Sequence, residues 1–428
     1  MSRVTEWFED HARDPVPAGE TVRGWHIVVI YVGVALTLPA FLTGGQIGLG
    51  VGLSGGVVAT LIASAILAAV GLATGYLGAR TGLSTYMISR HAFGRTGAKI
   101  PNGLLALTLF GWFGVTAAFF AQATHALALS YLGLDFGPAA WTIVGTGLMT
   151  STALFGFAGL DKLSVVVTPL LVLLLGAAVA ESLALASPAA VLAYEGSGAF
   201  PVGAAVSMLV GGWMVGAVVL PDLTRYAVSP RHGMVGGGLS FVVGMVVVIV
   251  PSMVVAIANG NQDLVAVVVA FGWATAGLAV IVLSAWSSND NNVYSAALGL
   301  ASIVESVAKW KITLAAGAAG GLLALIGIID RLVPFLMGLG ILIPPIAGVY
   351  VTDWFLHRQA YDPDRGRPSP AFRWRAFVAW GLASGVAVAT QPAEIGGLGW
   401  FSLTMIPALD ALVVSCLAYL ALDRVGTS

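Results

Sequence analysis

The chain has 428 residues, of which 58% are hydrophobic and only 9% are charged. A soluble globular domain carries about 25% charged residues, so this composition excludes that class. A membrane crossing needs about 20 apolar residues, and the mean hydropathy of +0.93 is typical of a chain with many crossings. The formal net charge of -1 provides no basic surface for nucleic acid, and the single cysteine, Cys416, excludes a disulfide framework.

Residues 1–26 are polar and of mixed charge, which predicts a cytoplasmic tail rather than a cleavable signal peptide. Twelve apolar runs follow, and each is predicted to be a membrane-spanning helix. The predicted spans cover 27–51, 56–77, 102–132, 139–157, 163–184, 202–222, 235–258, 263–300, 312–329, 332–352, 372–388 and 403–422. The third and eighth spans are longer than an upright crossing, so we expect them to tilt or to project from the bilayer.

The spans group into two sets of five and a final pair. We predict a first repeat at 27–184, a second repeat at 202–352, a solvated cytoplasmic linker at 353–371 and two further helices within 372–428. With the N-terminus inside, all but one of the 19 lysines and arginines lie on the cytoplasmic side, and Arg331 is the exception. Because basic residues stay on that side, we expect a multi-pass protein of a bacterial inner membrane with both ends in the cytoplasm.

Glycine and proline interrupt the first and sixth spans, which are the first helices of the two repeats. The first span carries Pro39, Gly44 and Gly45, and the sixth carries Gly211 and Gly212. In transporters with inverted repeats, helices broken in this way form the substrate site near the middle of the membrane. Unwound carbonyls must be satisfied there by an ion, a ligand or water. Close packing of small residues is the structural alternative.

The eighth span carries a run of hydroxyl, amide and carboxyl side chains. The run consists of Ser284, Ser287, Ser288, Asn289, Asp290, Asn291 and Asn292. Hydroxyl and amide oxygens suit a hard monovalent cation, whereas serine hydroxyls that bond back to their own helix are the ordinary alternative. The density of polar residues in this one span favours a binding role.

Two tryptophans lie near the middle of predicted spans, although tryptophan is normally enriched at the membrane interfaces. Trp112 is in the third span and Trp213 is in the sixth. Each ring is a candidate for stacking on a flat ligand, and packing in the protein core is the alternative for either one.

Acidic side chains in or beside membrane spans are commonly proton relays or ion partners. Asp222 ends the sixth span three residues before Arg225, which favours a structural ion pair or a cytoplasmic gate. We assign no role to Asp410 or His125. Metalloprotease, P-loop, nucleophile-elbow and clustered His/Cys motifs are all missing from the sequence, so we do not predict an enzyme.

Six segments, in order through nearly the whole chain, resemble the nucleobase:cation symporter family 1, also known as the purine-cytosine permease family. They are LTGGQIGLGVGLS (42–54), LGARTGLSTYMISRHAFG (77–94), GWFGV (111–115), DLTRY (222–226), WSSNDNNVYSAALGLA (286–301) and PPIAGVYVTDWFLHRQAYD (344–362). The resemblance implies a five-plus-five inverted repeat of the bacterial leucine transporter type, with two added helices. It also implies a base-sized substrate whose import is coupled to Na⁺ or H⁺, with no resident cofactor.

The resemblance further implies roles for individual residues. The implied substrate-binding residues are Trp112, Trp213, Gly212, Thr116, Ser284 and Asn289. The implied Na⁺ site combines Ser287 and Ser288 with main-chain carbonyls near Thr37 and Ala40. Gating or structural roles are implied for Gly44, Gly45, Asp222 and Arg225.

Four positions differ from the cytosine permeases of this family. Leu109 replaces a glutamine, Trp213 a phenylalanine, Ser284 an asparagine and Val215 a serine. A tryptophan in the sixth span is more similar to the hydantoin permeases. Cytosine, a purine, uracil, hydantoin, allantoin and a thiamine-precursor pyrimidine therefore all stay open as substrates. We predict a secondary active importer that functions as a monomer in the lipid bilayer, and a channel or facilitator without ion coupling is the alternative class.

Overall fold

The computed structural model describes residues 16, 21–36, 38–154, 157–304, 306–361, 370–393 and 396–425, without the side chains of 34, 38, 157–166, 274, 291, 302 and 333. Within these ranges the chain consists of helices and their connections, with one isolated parallel bridge between Val22 and Ala227. The all-helical fold that the hydropathy predicts is confirmed.

Seventeen α-helices are defined in the described ranges. The first seven are α1 (Gly24–Ala35), α2 (Leu38–Thr81), α3 (Thr85–Phe93), α4 (Lys99–Leu132), α5 (Gly137–Ala153), α6 (Phe157–Leu185) and α7 (Pro188–Ala193). The next six are α8 (Val202–Val219), α9 (Pro221–Thr224), α10 (Pro230–Asn259), α11 (Leu264–Ala270), α12 (Ala274–Ile303) and α13 (Lys309–Leu325). The last four are α14 (Leu332–Leu342), α15 (Pro344–Leu356), α16 (Trp374–Thr390) and α17 (Pro407–Val425).

In the described part of the chain, 6 helical stretches are long and apolar enough to cross a membrane. They are Pro39–Thr81, Lys99–Leu132, Val167–Leu185, Val202–Thr224, Pro230–Asn259 and Pro334–Leu356. The first has 43 residues, which at about 1.5 Å per residue is roughly twice the thickness of the hydrocarbon core. It divides at Gly52, whose φ of 76° is not helical, between the first two predicted spans.

The first predicted span is interrupted, but not at its glycines. α1 ends at Ala35, Leu36 is non-helical with a ψ of 73°, and α2 begins at Leu38. The chain through Gly44 and Gly45 is regular helix. The interruption therefore lies beside Pro39 and the predicted carbonyls near Thr37 and Ala40, whereas the break predicted at Gly44 and Gly45 was wrong.

Gly44 and Gly45 instead allow close packing of α2. A Cβ atom at Gly44 would lie 2.7 Å from the Cβ of Ser252 on α10. A Cβ atom at Gly45 would lie 2.8 Å from the Cβ of Gln262, just after that helix. Both positions therefore exclude a side chain, which supports the structural part of the predicted role.

The predicted break in the sixth span was wrong. α8 continues through Gly211 and Gly212 to Val219 without interruption, and Leu220 keeps helical angles before α9 begins. The physical reason for glycine here is again packing, because a Cβ atom at Gly211 would lie 2.5 Å from the main-chain oxygen of Leu336 on α14.

The two long predicted spans have different outcomes. The third span is one helix, α4, of 34 residues. The eighth span is two helices, α11 and α12, since the chain turns at Gly272 with a φ of 75°. The expectation of one long eighth helix was therefore wrong.

Three pairs of segments are joined by main-chain hydrogen bonds. Residues 197–198 donate to 49–50, residue 22 pairs with 226 and 228, and residues 95–97 donate to 370–371. The sequence places residues 49–50 at the outer end of the first span and residues 197–198 outside the cell, and it places both members of the other two pairs in the cytoplasm. Each bonded pair therefore joins segments that were predicted to be on the same side of the membrane.

The described ends of the predicted linker are exposed at residues 355, 356, 358, 359, 370 and 371, but a buried cluster forms around Asp353. Asp353 is buried, and its carboxylate accepts hydrogen bonds from the hydroxyls of Tyr361 at 2.5 Å and Tyr419 at 2.6 Å and from Arg373 at 3.1 Å. His357 Nδ1 lies 3.1 Å from the same carboxylate, and this hydrogen bond raises the pKa of His357. The cluster ties α15 to α16 and α17, while residues 362–369 lie outside the described ranges.

Candidate functional site

A cavity lies among α1, α2, α4, α8, α10 and α12. Its empty volume is about 730 Å³, including the part that opens to solvent. It is lined by Trp112, Thr116, Gly212 and Trp213 of the predicted substrate set and by Ala40 and Ser288 of the predicted cation set. Residues from four predicted spans thus meet at one cavity.

The ring of Trp112 has open space beside it. Its indole packs edge-on against Phe335, with ring centroids 5.7 Å apart. Gly212 faces this ring from α8, since a Cβ atom there would lie 3.9 Å from Cζ2 of Trp112. Because glycine has no side chain, the cavity extends to the indole at this point.

Two aromatic lining residues were missed by the sequence analysis. Tyr31 of α1 and Phe241 of α10 both line the cavity, and their rings meet edge to face at 5.5 Å. The Tyr31 hydroxyl donates to the main-chain oxygen of Gly216 on α8 at 2.5 Å. Tyr31 lies inside a predicted span, as the two tryptophans do, and this was the signal that could have identified it.

Asn292, rather than Asn289, lines the cavity. Asn289 is fully buried, and its amide nitrogen donates to the main-chain oxygen of Phe113 at 3.0 Å. Its side-chain oxygen accepts from the amide of Asn292 at 3.0 Å. Asn289 therefore holds α12 to the tryptophan-bearing helix α4 and orients Asn292, which is among the lining residues.

Ser284 contacts the interruption between α1 and α2. Its buried hydroxyl donates to the main-chain oxygen of Leu36 at 2.5 Å. The side chain thus satisfies one carbonyl that the interrupted helix leaves free, and Ser284 is not among the residues that line the cavity. Thr37, predicted as a cation ligand, lies outside the described residues.

The two serines of the predicted cation site are both buried. Ser287 is 3% exposed and Ser288 is 1% exposed. The Ser288 hydroxyl donates back to the main-chain oxygen of Ala285 at 3.2 Å, which is the ordinary behaviour of serine in a helix. Ser288 also lines the cavity beside Ala40, so one side of α12 reaches both the cavity and the interruption.

The acidic member of the polar run, Asp290, is buried as well. Its carboxylate accepts from the hydroxyl of Thr152 at 2.5 Å. The same hydroxyl accepts from the indole nitrogen of Trp286 at 2.9 Å. This network joins α12 to the end of α5.

Asp222 and Arg225 lie in a buried polar cluster at the end of α8 and α9. The Asp222 carboxylate accepts from the main-chain nitrogen of Thr85 at 2.8 Å, in the first turn of α3. Arg225 donates to the main-chain oxygen of Asp222 at 3.1 Å and to the hydroxyl of Tyr294 on α12 at 2.9 Å. The two residues therefore connect α9 to α3 and α12.

His125 and Asp410, which were assigned no role, have structural partners. His125 Nε2 lies 3.6 Å from a carboxylate oxygen of Asp135. The Asp410 carboxylate accepts from the main-chain nitrogen of Thr404 at 3.1 Å and from its hydroxyl at 2.6 Å. The bonds from Thr404 to Asp410 fix the turn that precedes α17.

Comparisons of sequence and of structure with known proteins agree with one another. The family model described as permease for cytosine/purines, uracil, thiamine, allantoin matches residues 15–408. The chain is 28% identical over 386 residues to the cytosine permease of Escherichia coli K12, covering 87% of this chain and 88% of the relative. It is 24% identical over 369 residues to the hydantoin permease of Microbacterium maritypicum, covering 80% and 74%. The fold matches Mhp1, a nucleobase-cation-symport-1 family transporter, in a closed conformation with bromovinylhydantoin bound, with a TM-score of 0.77 at 20% identity and coverage of 96% and 94%.

Proposed function

Because the chain belongs to the family of permeases for cytosine and purines, uracil, thiamine and allantoin, we propose that it imports a nucleobase or a related flat heterocycle by symport with Na⁺ or H⁺. The observation that carries this proposal is the shared cavity. Trp112 and Trp213, from two different predicted spans, line it together with Ala40 and Ser288.

The substrate stacks on the indole of Trp112, in the space that Gly212 leaves open. An aromatic pair of this kind contributes about 0.5–1.5 kcal/mol beyond the burial of area. Trp213 supplies a second aromatic surface, and the hydroxyl of Thr116 and the amide of Asn292 can bond to the polar edge of the ring. Leu109 lines the same cavity without a polar group, so the pattern of bonds differs from that of a cytosine permease with glutamine there.

The coupling cation binds where α12 faces the interrupted first span. Its ligands are the hydroxyls of Ser287 and Ser288 and the main-chain oxygens near Thr37 and Ala40. The contact of Ser284 with Leu36 supports this assignment, because residues three and four positions further along a helix lie on the same side. A cation bound there would order the segment that carries Ala40 into the cavity, and so it would favour substrate binding.

The membrane potential supplies enough energy for this coupling. One positive charge that moves down 100 mV releases about 2.3 kcal/mol, which is roughly a fifty-fold accumulation of a neutral solute. One cation per heterocycle therefore suffices for scavenging from the medium.

The proposed topology has twelve spans in a five-plus-five inverted repeat with two added helices, and both ends lie in the cytoplasm of a bacterial cell. The three bonded pairs of segments support this topology, in which successive connections lie on alternate sides of the membrane. Transport proceeds as one bundle rocks against the other. The cluster around Asp222 and Arg225 contributes to closure at the cytoplasmic end, and the monomer is the working unit.

A thermal-shift screen tests the proposal, because a ligand that binds the folded protein raises its apparent stability. Purified protein is heated with each of a panel of nucleobases and hydantoins, once in Na⁺ and once in K⁺. We expect one class of heterocycle to stabilise the protein, more strongly with Na⁺ if Na⁺ is the coupling ion. A panel without any effect in either salt would contradict the proposed substrate class. Saturable uptake that stops when the ion gradient is dissipated distinguishes a symporter from a channel.

A further inference from the structure

The described part of the chain has a second large hollow, on the outer surface between the first turns of α1 and α10. Its empty volume is about 860 Å³, including open space. The walls are formed by Trp25, Val28 and Val29 of α1 and by Val235 and Leu239 of α10. We call this hollow the α1–α10 groove.

Glycines form the floor of the α1–α10 groove. A Cβ atom at Gly236 would lie 2.9 Å from the main-chain oxygen of Gly24, and one at Gly24 would lie 2.7 Å from that of His232. The two backbones are therefore in direct contact, and the flanking side chains diverge on either side. Trp25 and Val235 are each 53% exposed, so the walls present apolar surface to the surroundings of the protein.

The dimensions of the groove match one leaflet of a bilayer. From Arg231 to Leu239 the helix advances by 8 residues, or about 12 Å. The hydrocarbon core of a bilayer is about 30 Å thick, so one leaflet supplies about half of that. One acyl chain can therefore lie along the groove.

Basic groups stand at one end of the groove. Arg231 and His232 are both lining residues, and Arg23, which precedes α1, is exposed nearby in the sequence. The hydroxyl of Ser229 lies 2.8 Å from His232 Nδ1, which leaves the other ring nitrogen available. None of the described lining residues is acidic. This charge complements a phosphate rather than a neutral or cationic ligand.

We propose that the α1–α10 groove binds one anionic phospholipid of the cytoplasmic leaflet. Its acyl chain lies between Trp25 and Val235, and its phosphate lies at Arg231 and His232. The choice of leaflet rests on the proposed topology, whereas the groove itself does not depend on the transported substrate. The same two helices carry Tyr31 and Phe241 into the central cavity, so the lipid stabilises the helix arrangement on which that cavity depends.

Quenching of Trp25 fluorescence by brominated lipid tests this proposal. The full chain and a Trp25→Phe variant are placed in phosphatidylcholine nanodiscs that contain either brominated phosphatidylglycerol or brominated phosphatidylcholine. The difference between the two proteins isolates the Trp25 signal. We expect brominated phosphatidylglycerol to quench Trp25 more strongly. An Arg231→Gln/His232→Gln variant should weaken that effect at least fivefold, because loss of the Arg231 charge alone corresponds to about 1 kcal/mol.

The matched control is Arg80→Gln, because Arg80 is an exposed arginine at the end of α2 and does not line the groove. It should leave the quenching unchanged. A Val235→Phe variant fills the groove at an exposed position without adding a tryptophan, so it should reduce quenching of Trp25 while the protein stays folded. Equal quenching by both brominated lipids, or equal losses in the Arg80 and the Arg231/His232 variants, would overturn the proposal. Reversal of quenching by inorganic phosphate would also overturn it. Phosphate alone would then compete as well as the whole lipid, so the acyl chain would contribute nothing to the affinity.

Discussion

Gly211 and Gly212 are adjacent in α8, and their replacement by alanine is predicted to have opposite effects on stability. At Gly212 a Cβ atom would lie 3.4 Å from Cδ2 of Leu336 and 3.9 Å from Cζ2 of Trp112, which are ordinary contact distances. At Gly211 it would lie 2.5 Å from the main-chain oxygen of Leu336 and 3.1 Å from the main-chain nitrogen of Gly340. Main-chain atoms cannot rotate aside as the end of a side chain can.

The structure gives the magnitude of both effects. Gly212→Ala removes the entropy cost of glycine inside a helix and stabilises the fold by roughly 0.5–1 kcal/mol. Gly211→Ala has the same gain, but α8 must move away from α14, and overpacking of this kind costs about 1–3 kcal/mol. We therefore expect the Gly211→Ala protein to be less stable than the Gly212→Ala protein by about 1–3 kcal/mol.

Thermal unfolding of the two purified variants, measured side by side with the parent chain, checks this order. Equal stability of the two alanine variants would refute the packing argument. A third variant, Gly212→Leu, extends a side chain into the cavity beside Trp112. It should reduce the affinity for the stabilising heterocycle at least tenfold, about 1.4 kcal/mol, while the protein stays folded. Unchanged affinity in that variant would refute the placement of the substrate.

Three further outcomes are expected. Ser284→Ala leaves the main-chain oxygen of Leu36 without its hydroxyl donor. The free energy of unfolding in a denaturant titration should therefore fall by about 1–3 kcal/mol. Ser284→Thr keeps a hydroxyl and should lose less stability. Asp353→Asn weakens the bonds from Tyr361 and Tyr419. Because Tyr419 lies on α17, we expect faster amide hydrogen exchange in that helix. Unchanged exchange would show that those bonds are dispensable. Because Asp353 raises the pKa of His357, protonated His357 stabilises the fold fully below the ordinary value of about 6.5, and this stabilisation is lost as pH rises through the raised value. The melting temperature of the parent should fall across that window relative to His357→Gln, and parallel pH profiles would contradict the reasoning.

The sequence was sufficient to predict the helices and much of the cavity. Apolar runs mark helices because burial in lipid is a property of each segment by itself. The tryptophans at 112 and 213 were identified because a polar-tipped ring inside a span is unusual. The resemblance to a known family then placed Thr116, Gly212 and Ser288 near them, and all of these residues line one cavity.

Pro39 and the carbonyls implied near Thr37 and Ala40 lie beside the observed helix break, but its exact position depends on contacts between distant segments. The interruption lies at Leu36. There the hydroxyl of Ser284 on α12 donates to the main-chain oxygen that the interrupted helix leaves free. Gly44 and Gly45 looked equally suited to a break, yet their neighbours on and after α10 make them packing positions. Glycine composition alone does not distinguish these two uses.

The sequence did not identify Asn292 in place of Asn289 as the lining residue, for a related reason. The two residues are three positions apart, so they lie on the same side of α12. Only the tertiary packing shows that Asn289 is occupied by the main chain of Phe113 while Asn292 lines the cavity. Tyr31 was missed although its position inside a predicted span was a usable signal, whereas nothing in the local sequence of Phe241 indicates which side of its helix faces the cavity.

The central claim is that a flat heterocycle stacks on Trp112 in the cavity, and the affinity of a Trp112→Ala variant tests it most directly. Isothermal titration with the heterocycle that stabilises the parent chain gives the dissociation constant, and Trp400→Ala is the control because Trp400 is 74% exposed and outside the cavity. We predict that Trp112→Ala weakens binding at least tenfold, about 1.4 kcal/mol, with its unfolding temperature retained and with Trp400→Ala unchanged. Equal affinities in the parent and the Trp112→Ala protein would contradict the account.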